Sequence, residues 1–345
     1  MNNKFISGKK NVLVTGGAGF IGSHLCEQLV KDNNVICIDN FNRGSEENID
    51  SLLQLPNFRF IKHDISEPIE LDELPELKKF KVQFQGIQEI YHLACPTSAK
   101  NFDSLRMDTL LANSCGVINV LDLALKYKSK FLLASSSVVY GPKEKDNLYF
   151  TEEYLGKVNF TSPRSCYDEG KRFAETCTIT YREAHKLDVK IARIFRTYGP
   201  RMPLFDGQMV TDFVLQALYN KSLIIYGDKN FSTSLCYVSD MVDGLIKLMD
   251  SDVSEPINLG NEEEYKMADV AQKIIDSTNS KSKIIFNPPL LFMTSLGLPD
   301  IKKAKNRLDW FPLISLEEGL ERTIEDVKRK RSLLQPFVNK YDEDL

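Results

Sequence analysis

The stretch Asn11-Val-Leu-Val-Thr-Gly-Gly-Ala-Gly-Phe-Ile-Gly22 decides the fold, because it joins a short apolar strand to a glycine-rich turn and the start of a helix. Three glycines, spaced three residues apart, permit a tight turn and let the backbone approach a pyrophosphate. The pyrophosphate then lies at the amino end of the helix, where unpaired N–H groups favour negative charge. The predicted cofactor contacts on this turn are Gly16, Gly19, Phe20, Ile21 and Gly22.

A carboxylate stands at the end of the next apolar strand. Asp39 follows Val35-Ile-Cys-Ile38 at the separation expected for a group that accepts hydrogen bonds from an adenosine ribose. An acidic side chain there repels a 2′-phosphate, so the pattern predicts NAD rather than NADP, although Arg43 leaves room for some NADP tolerance. Further cofactor contacts are predicted after this and later strands, at Asn40, Asp64, Ile65, Leu93 and Ala94.

Tyr167 and Lys171 form the predicted catalytic centre. They lie four residues apart in Ser-Cys-Tyr-Asp-Glu-Gly-Lys, so a helix would place both side chains on one face. An ammonium near a phenol favours the ionised form, and a phenolate is a usable base for taking a hydroxyl proton while hydride leaves the carbon. Ser136, at the end of the strand 131–134, can share that proton. These residues predict nicotinamide-dependent oxidation of a hydroxyl group.

Apolar runs alternate with amphipathic stretches over the first two-thirds of the chain. This alternation predicts an α/β fold with a doubly wound parallel sheet of the Rossmann type. After residue 200 the elements become shorter. We expect an NAD-binding domain at 1–199, a smaller and mainly substrate-binding domain at 200–330 with some segments returning to the first, and a tail at 331–345.

Composition narrows the function classes. The 345 residues carry a net charge of −4 and a pI near 5.8, which argues against a general nucleic-acid surface. Seven cysteines form no Cys-x-x-Cys pair and only four histidines are present, so neither a metal site nor a disulfide framework is indicated. The first ten residues hold no apolar signal core, and no run approaches the roughly 20 apolar residues of a membrane span. We therefore expect a cytoplasmic protein without a membrane partner.

Taken together, these motifs resemble the extended short-chain dehydrogenase/reductases that modify nucleotide sugars, and most closely the UDP-glucuronate decarboxylase (UDP-xylose synthase) family. The resemblance runs from about residue 11 to residue 324. Its most specific stretches are 91–96, 163–172, 192–195, 198–202, 237–240 and 299–305.

The resemblance implies a sugar-nucleotide substrate whose 4-hydroxyl is oxidised with NAD, loss of carbon dioxide from the 4-keto acid, and reduction of the ketone. In that scheme Tyr167 is the base, Lys171 its pKa partner and a contact to the cofactor ribose, and Ser136 the hydroxyl partner; Tyr167 and Lys171 are thus also predicted cofactor contacts. The resemblance also implies a homodimer formed through helices of the first domain.

The substrate half departs from the family pattern. The family's Ser-Thr-Ser-Glu-Val-Tyr-Gly reads Ser135-Ser-Ser-Val-Val-Tyr-Gly141, so Val138 replaces the glutamate linked to decarboxylation. The family's three substrate arginines align with Gln208, Thr233 and Gly297. In the other direction, a family asparagine aligns with Arg196. The predicted substrate contacts are Pro96, Ser98, Val138, Arg196, Arg201, Gln208 and Thr233.

Three functions remain open on the sequence. The intact redox residues beside an altered pocket favour a redox-only relative, an epimerase or dehydrogenase acting on the 4-hydroxyl of a nucleotide-linked sugar, and this is the preferred hypothesis. The overall resemblance favours UDP-glucuronate decarboxylase proper. A non-catalytic NAD-binding sensor is the third, although a sensor has no need of a tyrosine, a lysine and a serine in register.

Overall fold

The computed structural model of the chain describes residues 8–98, 103–144, 148–290 and 295–341, with side chains described up to residue 330. The strands, in chain order, are β1 (Asn11–Thr15), β2 (Asn34–Asp39), β3 (Phe58–Lys62), β4 (Glu89–His92), β5 (Lys130–Ser136), β6 (Tyr149–Phe150), β7 (Val189–Ile194), β8 (Thr197–Tyr198), β9 (Leu223–Tyr226), β10 (Ser232–Thr233), β11 (Cys236–Tyr237), β12 (Ile257–Leu259), β13 (Tyr265–Lys266), β14 (Ile284–Asn287) and β15 (Leu298–Pro299).

The α-helices are α1 (Phe20–Leu29), α2 (Asp50–Leu53), α3 (Val82–Gln85), α4 (Arg106–Leu111), α5 (Val117–Tyr127), α6 (Ser165–His185), α7 (Met209–Leu218), α8 (Val238–Asp250), α9 (Met267–Thr278), α10 (Lys302–Leu308) and α11 (Leu316–Tyr341). Short 3₁₀ turns lie at Glu46–Asn48, Leu71–Glu73, Pro75–Phe80, Asp103–Leu105 and Ser137–Tyr140, and a π-helical turn, Ala112–Gly116, joins α4 to α5.

Seven parallel strands form the central sheet, in the order β12-β7-β5-β4-β1-β2-β3. Thr15 lies opposite both Ile38 and His92, and Ser136 lies opposite Ile194, so the carboxyl ends of the inner strands meet along one edge. The predicted doubly wound parallel sheet is confirmed. β12 comes from beyond residue 200 and joins the sheet at β7; the predicted domain boundary at 199 stays a prediction.

Both faces of the sheet are buried. Along β1, Val12 and Val14 contribute to one apolar core, whereas Leu13 between them contributes to the core on the opposite face. Each buried side chain of this size stabilises the fold by roughly 1.5–3 kcal/mol relative to exposure. A strand that is covered on both sides reads as a continuous apolar run, which is why β1 carries no alternating pattern.

Two helical segments, Asp103–Tyr127 and the end of α11, differ from what the sequence predicts. Among the described residues, the helical stretch Asp103–Tyr127 is long and apolar enough to cross a membrane by length and composition. Half of its 18-residue apolar window is buried, with Val117 and Leu121 in the core, and this burial accounts for the apolar character. The segment predicted as a tail from residue 331 continues α11 as far as Tyr341, and residues 342–345 lie outside the described residues.

Candidate active site

A cavity of about 400 Å³ lies along the carboxyl edge of the sheet. All of the predicted cofactor contacts line it: Gly16, Gly19, Phe20, Ile21, Gly22, Asp39, Asn40, Asp64, Ile65, Leu93 and Ala94. The predicted catalytic residues line it as well, together with five of the seven predicted substrate contacts: Tyr167, Lys171, Ser136, Pro96, Ser98, Val138, Arg196 and Gln208. One cavity therefore collects residues from many separate segments of the chain.

The glycine-rich turn is packed too closely for side chains. Gly16 has a left-handed φ of 72°, and a Cβ there would lie 2.7 Å from the backbone nitrogen of Ala94. A Cβ at Gly22 would lie 2.1 Å from the carbonyl oxygen of Gly16. α1 begins directly after Gly19, and no side chain caps it. Its first N–H groups are therefore left for a negatively charged ligand.

Asp39 is fixed by two backbone N–H groups. Its Oδ2 accepts from Ala18 at 3.0 Å and its Oδ1 accepts from Phe41 at 2.9 Å. Burial raises the pKa of Asp39, and the two N–H donors oppose that rise. Because a carboxylate oxygen accepts more than one hydrogen bond, each oxygen keeps acceptor capacity for a ribose hydroxyl.

Arg43 is held in an ion pair with Asp206 and is therefore not a free cation beside the Asp39 carboxylate. Its guanidinium lies 2.6 Å from Asp206, which is buried and also accepts a hydrogen bond from Ser98. Three segments of the cavity wall are thereby joined: the loop after β2, the loop after β4, and the segment before α7. The engagement of Arg43 with Asp206 weakens the case for NADP tolerance that the sequence left open.

Tyr167 and Ser136 line the same cavity, and the Ser136 hydroxyl is close enough to the phenol to influence its pKa. Lys171, one turn further along α6, is buried and donates from Nζ to the carbonyl oxygen of Ala134 at 3.0 Å. Burial is the main influence on Tyr167 and raises its pKa; the neighbouring Cys95 acts in the same direction, while the nearby Ser136 hydroxyl lowers it. The expectation that Lys171 would lower this pKa is not supported for the free protein, since burial outweighs the nearby charges.

Two arginines lie near the phenol. Arg164 donates from Nε to both oxygens of Asp168, at 3.0 and 3.2 Å, and its guanidinium carbon is 5.6 Å from the centre of the Tyr167 ring. Arg196 lies close enough to Arg164 for the two charges to repel, and burial together with that repulsion lowers the pKa of Arg196 to about 10. Sequence reasoning named Arg196 and missed Arg164, although it is contained in the specific stretch 163–172.

A largely buried ion pair between Glu175 and Arg193 ties α6, the helix that carries Tyr167, to β7. Glu175, one turn beyond Lys171 on α6, accepts a fork of hydrogen bonds from Arg193 on β7 at 3.0 and 2.8 Å. Ser135, the neighbour of Ser136 on β5, donates to the same carboxylate at 2.5 Å. The helix and the two strands that carry the site are thus tied together. Sequence reasoning missed this contact because it joins residues far apart in the chain.

Two predicted substrate contacts lie elsewhere. Arg201 forms an ion pair with Glu27 on α1 at 2.7 Å, and its left-handed φ of 63° accompanies that turn away from the cavity. Thr233 is buried in β10, opposite Tyr265 of β13. Neither lines the cavity. The structure therefore does not support substrate contact for these two residues.

Two other departures from the family pattern, Val138 and Gly297, are also described by the structure. Val138 lines the cavity with an apolar side chain that cannot transfer a proton. At Gly297 a Cβ would lie 2.9 Å from the carbonyl oxygen of Leu148, so any larger side chain requires the backbone to move. Among the described residues, no three His, Cys, Asp or Glu side chains are grouped to hold a metal ion.

Known proteins are similar to this chain in sequence and in fold. Residues 13–323 match the family described as GDP-mannose 4,6 dehydratase. UDP-glucuronic acid decarboxylase 1 of Danio rerio is 42% identical over 330 residues, which is 95% of this chain and 75% of that protein. UDP-glucuronic acid decarboxylase 6 of Arabidopsis thaliana is 40% identical over 333 residues, covering 95% of this chain and 91% of that protein.

Two solved structures show the same similarity. UDP-glucuronic acid 4-epimerase from Bacillus cereus, in complex with UDP-glucuronic acid and NAD, has a TM-score of 0.80 and 28% identity, covering 92% of this chain and 99% of that one. dTDP-glucose 4,6-dehydratase from Bacillus anthracis, in complex with NAD, has a TM-score of 0.78 and 26% identity, covering 95% and 99%. The predicted resemblance to extended short-chain dehydrogenase/reductases is confirmed.

Proposed function

This chain belongs to the GDP-mannose 4,6 dehydratase family, and we propose that it is an NAD-dependent decarboxylase of a nucleotide-linked hexuronic acid, with UDP-glucuronate as the first substrate. The observation that carries the redox part is that Tyr167, Ser136 and Lys171 line one cavity together with the glycine-rich turn. The decarboxylation part is supported by the names of relatives at 40–42% identity. This reverses the preference drawn from the sequence.

NAD fits the residues that are present. The uncapped start of α1 suits a pyrophosphate, and Asp39 keeps acceptor capacity for ribose hydroxyls. Arg43 is committed to Asp206, and the Asp39 carboxylate repels a 2′-phosphate, which favours NAD over NADP. When bound, NAD supplies the acceptor for a hydride from the sugar and returns that hydride at the end of the reaction.

Tyr167 takes the proton of the sugar 4-hydroxyl, and Ser136 holds that hydroxyl in place. In the free protein burial keeps Tyr167 protonated, so the site needs nearby positive charge to favour the phenolate. The Arg164 guanidinium, 5.6 Å from the ring centre, and the Lys171 ammonium on the next turn contribute to it, although they do not outweigh burial in the free protein. The same two hydroxyls can donate to the oxygen of the ketone that forms.

Loss of carbon dioxide does not require an acid at position 138. Oxidation at C4 places a ketone β to the sugar carboxylate, so the bonding electrons pass to the ketone oxygen as carbon dioxide leaves. In the proposed reaction the hydroxyl groups of Tyr167 and Ser136 stabilise the negative charge on that oxygen. Because Val138 has no proton to give, the proton that C5 gains comes from Tyr167 or from water.

A redox-only 4-epimerase is the second candidate. Val138 favours it, since the side chain at this cavity position can neither donate nor accept a proton. In that case the carboxylate stays on the sugar, and the hydride returns to the opposite face of C4. The two candidates share every residue of the redox step and differ only in the fate of the carboxylate.

The test uses UDP-glucuronate carrying a carbon-13 label in the carboxylate. Purified protein is incubated with NAD and this substrate, and labelled carbon dioxide, nucleotide-sugar mass and NADH absorbance are followed together. The proposal expects labelled carbon dioxide, a nucleotide pentose and little net NADH. Retention of the label in a 4-epimer would support the second candidate instead. The variant Tyr167→Phe is the control, because it should bind both ligands without turnover.

We also propose a homodimer. Met107, Leu110 and Leu111 on α4, and Phe173 on the neighbouring α6, expose large apolar side chains. Solvent contact of such a patch is unfavourable, and a second copy would cover it. Light scattering of the purified protein should give the mass of two chains, and a double variant Leu110→Asp with Leu111→Asp should give one. A monomeric wild-type protein would refute this proposal.

A further inference from the structure

Arg196 holds a guanidinium for which the described part of the chain offers no hydrogen-bond or ion-pair partner. It follows β7 by two residues, and Ile194 at the end of β7 lies opposite Ser136. Arg196 therefore lies at the sheet edge, beside the strand that carries the catalytic serine, and it lines the cavity. The charge that acts on it most strongly is that of Arg164, which has the same sign.

An unpaired guanidinium in this position is unfavourable in the free protein. Arg196 is half-buried, and even partial withdrawal of a cation from water is costly unless an opposite charge or several acceptors replace the lost hydration. Burial and the repulsion of Arg164 lower the pKa of Arg196 to about 10, which expresses that cost. By contrast, the buried Arg193 is fully paired by Glu175. A cavity that retains an uncompensated cation is therefore suited to an anionic ligand.

We propose that Arg196 binds the carboxylate of the sugar, with Arg164 adding positive potential, and so selects hexuronates over neutral hexoses. This inference rests on the proposed function, because it takes the oxidised hydroxyl to lie at Tyr167. A planar guanidinium pairs with a carboxylate through two parallel hydrogen bonds. A neutral sugar would leave those N–H donors without a carboxylate acceptor, so the site should bind a hexuronate much more tightly than a neutral hexose.

The position favours a carboxylate over the diphosphate of the same substrate. Arg164 lies 5.6 Å from the centre of the Tyr167 ring, and Arg196 lines the same cavity from the segment that follows β7, the strand paired with the one that carries Ser136. In a hexuronate the carbon that bears the carboxylate is bonded directly to the carbon oxidised by Tyr167. The diphosphate is attached on the far side of the ring. The anion nearest to the catalytic phenol is therefore the carboxylate.

Binding measurements test this directly. In a Tyr167→Phe background, which prevents turnover, calorimetry with the NAD-loaded protein gives the affinities for UDP-glucuronate, UDP-glucose and UDP. Arg196→Gln should weaken UDP-glucuronate roughly tenfold or more and change the other two less than about twofold. Arg196→Lys, which keeps the charge without the planar fork, should lie between. Arg201→Gln is the matched control, because Arg201 is paired with Glu27 outside the cavity, and it should leave all three affinities unchanged.

The outcomes are separable. An equal loss for all three ligands would place Arg196 at the diphosphate and overturn the inference, and so would unchanged affinities. A loss confined to UDP-glucuronate supports it even when the labelled substrate releases no carbon dioxide, so the inference can hold where the proposed decarboxylation fails. A thermal unfolding curve for each variant excludes misfolding, and the Arg196→Lys variant retains the test where Arg196→Gln does not fold.

Discussion

His92 makes the stability of the site depend on pH. It ends β4, which pairs with the strand that carries Ser136, is 3% exposed, and shares a hydrogen bond of 2.7 Å between Nδ1 and Thr15 Oγ1. Burial, together with a smaller contribution from the charge of Lys171, lowers its pKa from 6.5 to about 3. His92 is therefore neutral in the folded protein throughout the ordinary pH range, whereas in the unfolded chain it gains a proton near pH 6.5.

The sign and the size of the effect follow from this difference. Below pH 6.5 the unfolded state binds more protons, so the contribution of His92 to stability is fully present above that pH and is lost as pH falls towards about 3. Each unit of pH in that window costs about 1.4 kcal/mol. From pH 6.5 to pH 5 the free energy of unfolding should therefore fall by about 2 kcal/mol because of this one group.

The assay is urea unfolding at pH 7 and pH 5 for the wild type and for His92→Gln. Glutamine can still bond to Thr15 but does not titrate, so the wild type should lose about 2 kcal/mol more than the variant between the two pH values. His24, whose pKa burial also lowers, contributes equally to both proteins. His185→Gln, at an exposed position on α6, is the control. An identical pH dependence in the wild type and His92→Gln would refute the reasoning.

Three further predictions concern turnover and cofactor binding. Tyr167→Phe should reduce single-turnover NADH formation about 10²–10⁴-fold with an unchanged NAD dissociation constant; persistent turnover would contradict its role as base. Asp39→Ala should weaken NAD roughly tenfold or more and NADP less, so fluorescence titration should show the two affinities converging; a constant ratio would count against the ribose contact. Arg43→Ala breaks the pair with Asp206 across the cavity wall, and stopped-flow displacement should show NAD leaving roughly tenfold faster. Lys273→Ala, which removes an exposed ion pair, is the control. Equal NAD dissociation rates in the wild type, Arg43→Ala and Lys273→Ala would show that the pair of Arg43 and Asp206 does not slow NAD release.

The cofactor half was predictable because its signals are local. The turn between β1 and α1 is written in consecutive residues, and the ends of parallel strands must meet at one edge of the sheet. Once the strands are recognised, Asp39, Asp64 and Leu93 are expected at that edge, and all three line the cavity. Their contact with cofactor stays a prediction, but their shared position follows from periodicity alone.

The substrate side of the site could not be predicted from sequence periodicity, because it depends on backbone conformation, burial and contacts between distant segments. Arg201 was assigned to the substrate by alignment, yet a single left-handed backbone angle accompanies its turn towards Glu27. The pKa of Tyr167 was expected to fall because Lys171 is four residues away, but the depth of the cavity decides its direction. The pairing of Arg43 with Asp206 joins segments more than a hundred residues apart. Such contacts become visible only when the chain is folded.

Arg196 also bears on the fate of the carboxylate. An ion pair with that group stabilises the bound acid by roughly 1.5–3 kcal/mol, and this stabilisation is lost as the carboxylate becomes neutral carbon dioxide. An interaction that is stronger in the ground state than in the transition state lowers KM and also lowers kcat. In a decarboxylase with rate-limiting chemistry, Arg196→Gln should therefore raise KM and raise kcat for carbon dioxide release about tenfold to a hundredfold.

In a redox-only enzyme the same ion pair would retain the carboxylate on the sugar, and Arg196→Gln should begin to release labelled carbon dioxide from the 4-keto acid. A fall in kcat for the decarboxylase would instead show that the guanidinium acts on the developing oxyanion. The direction of that change therefore separates recognition of the acid from catalysis of its loss.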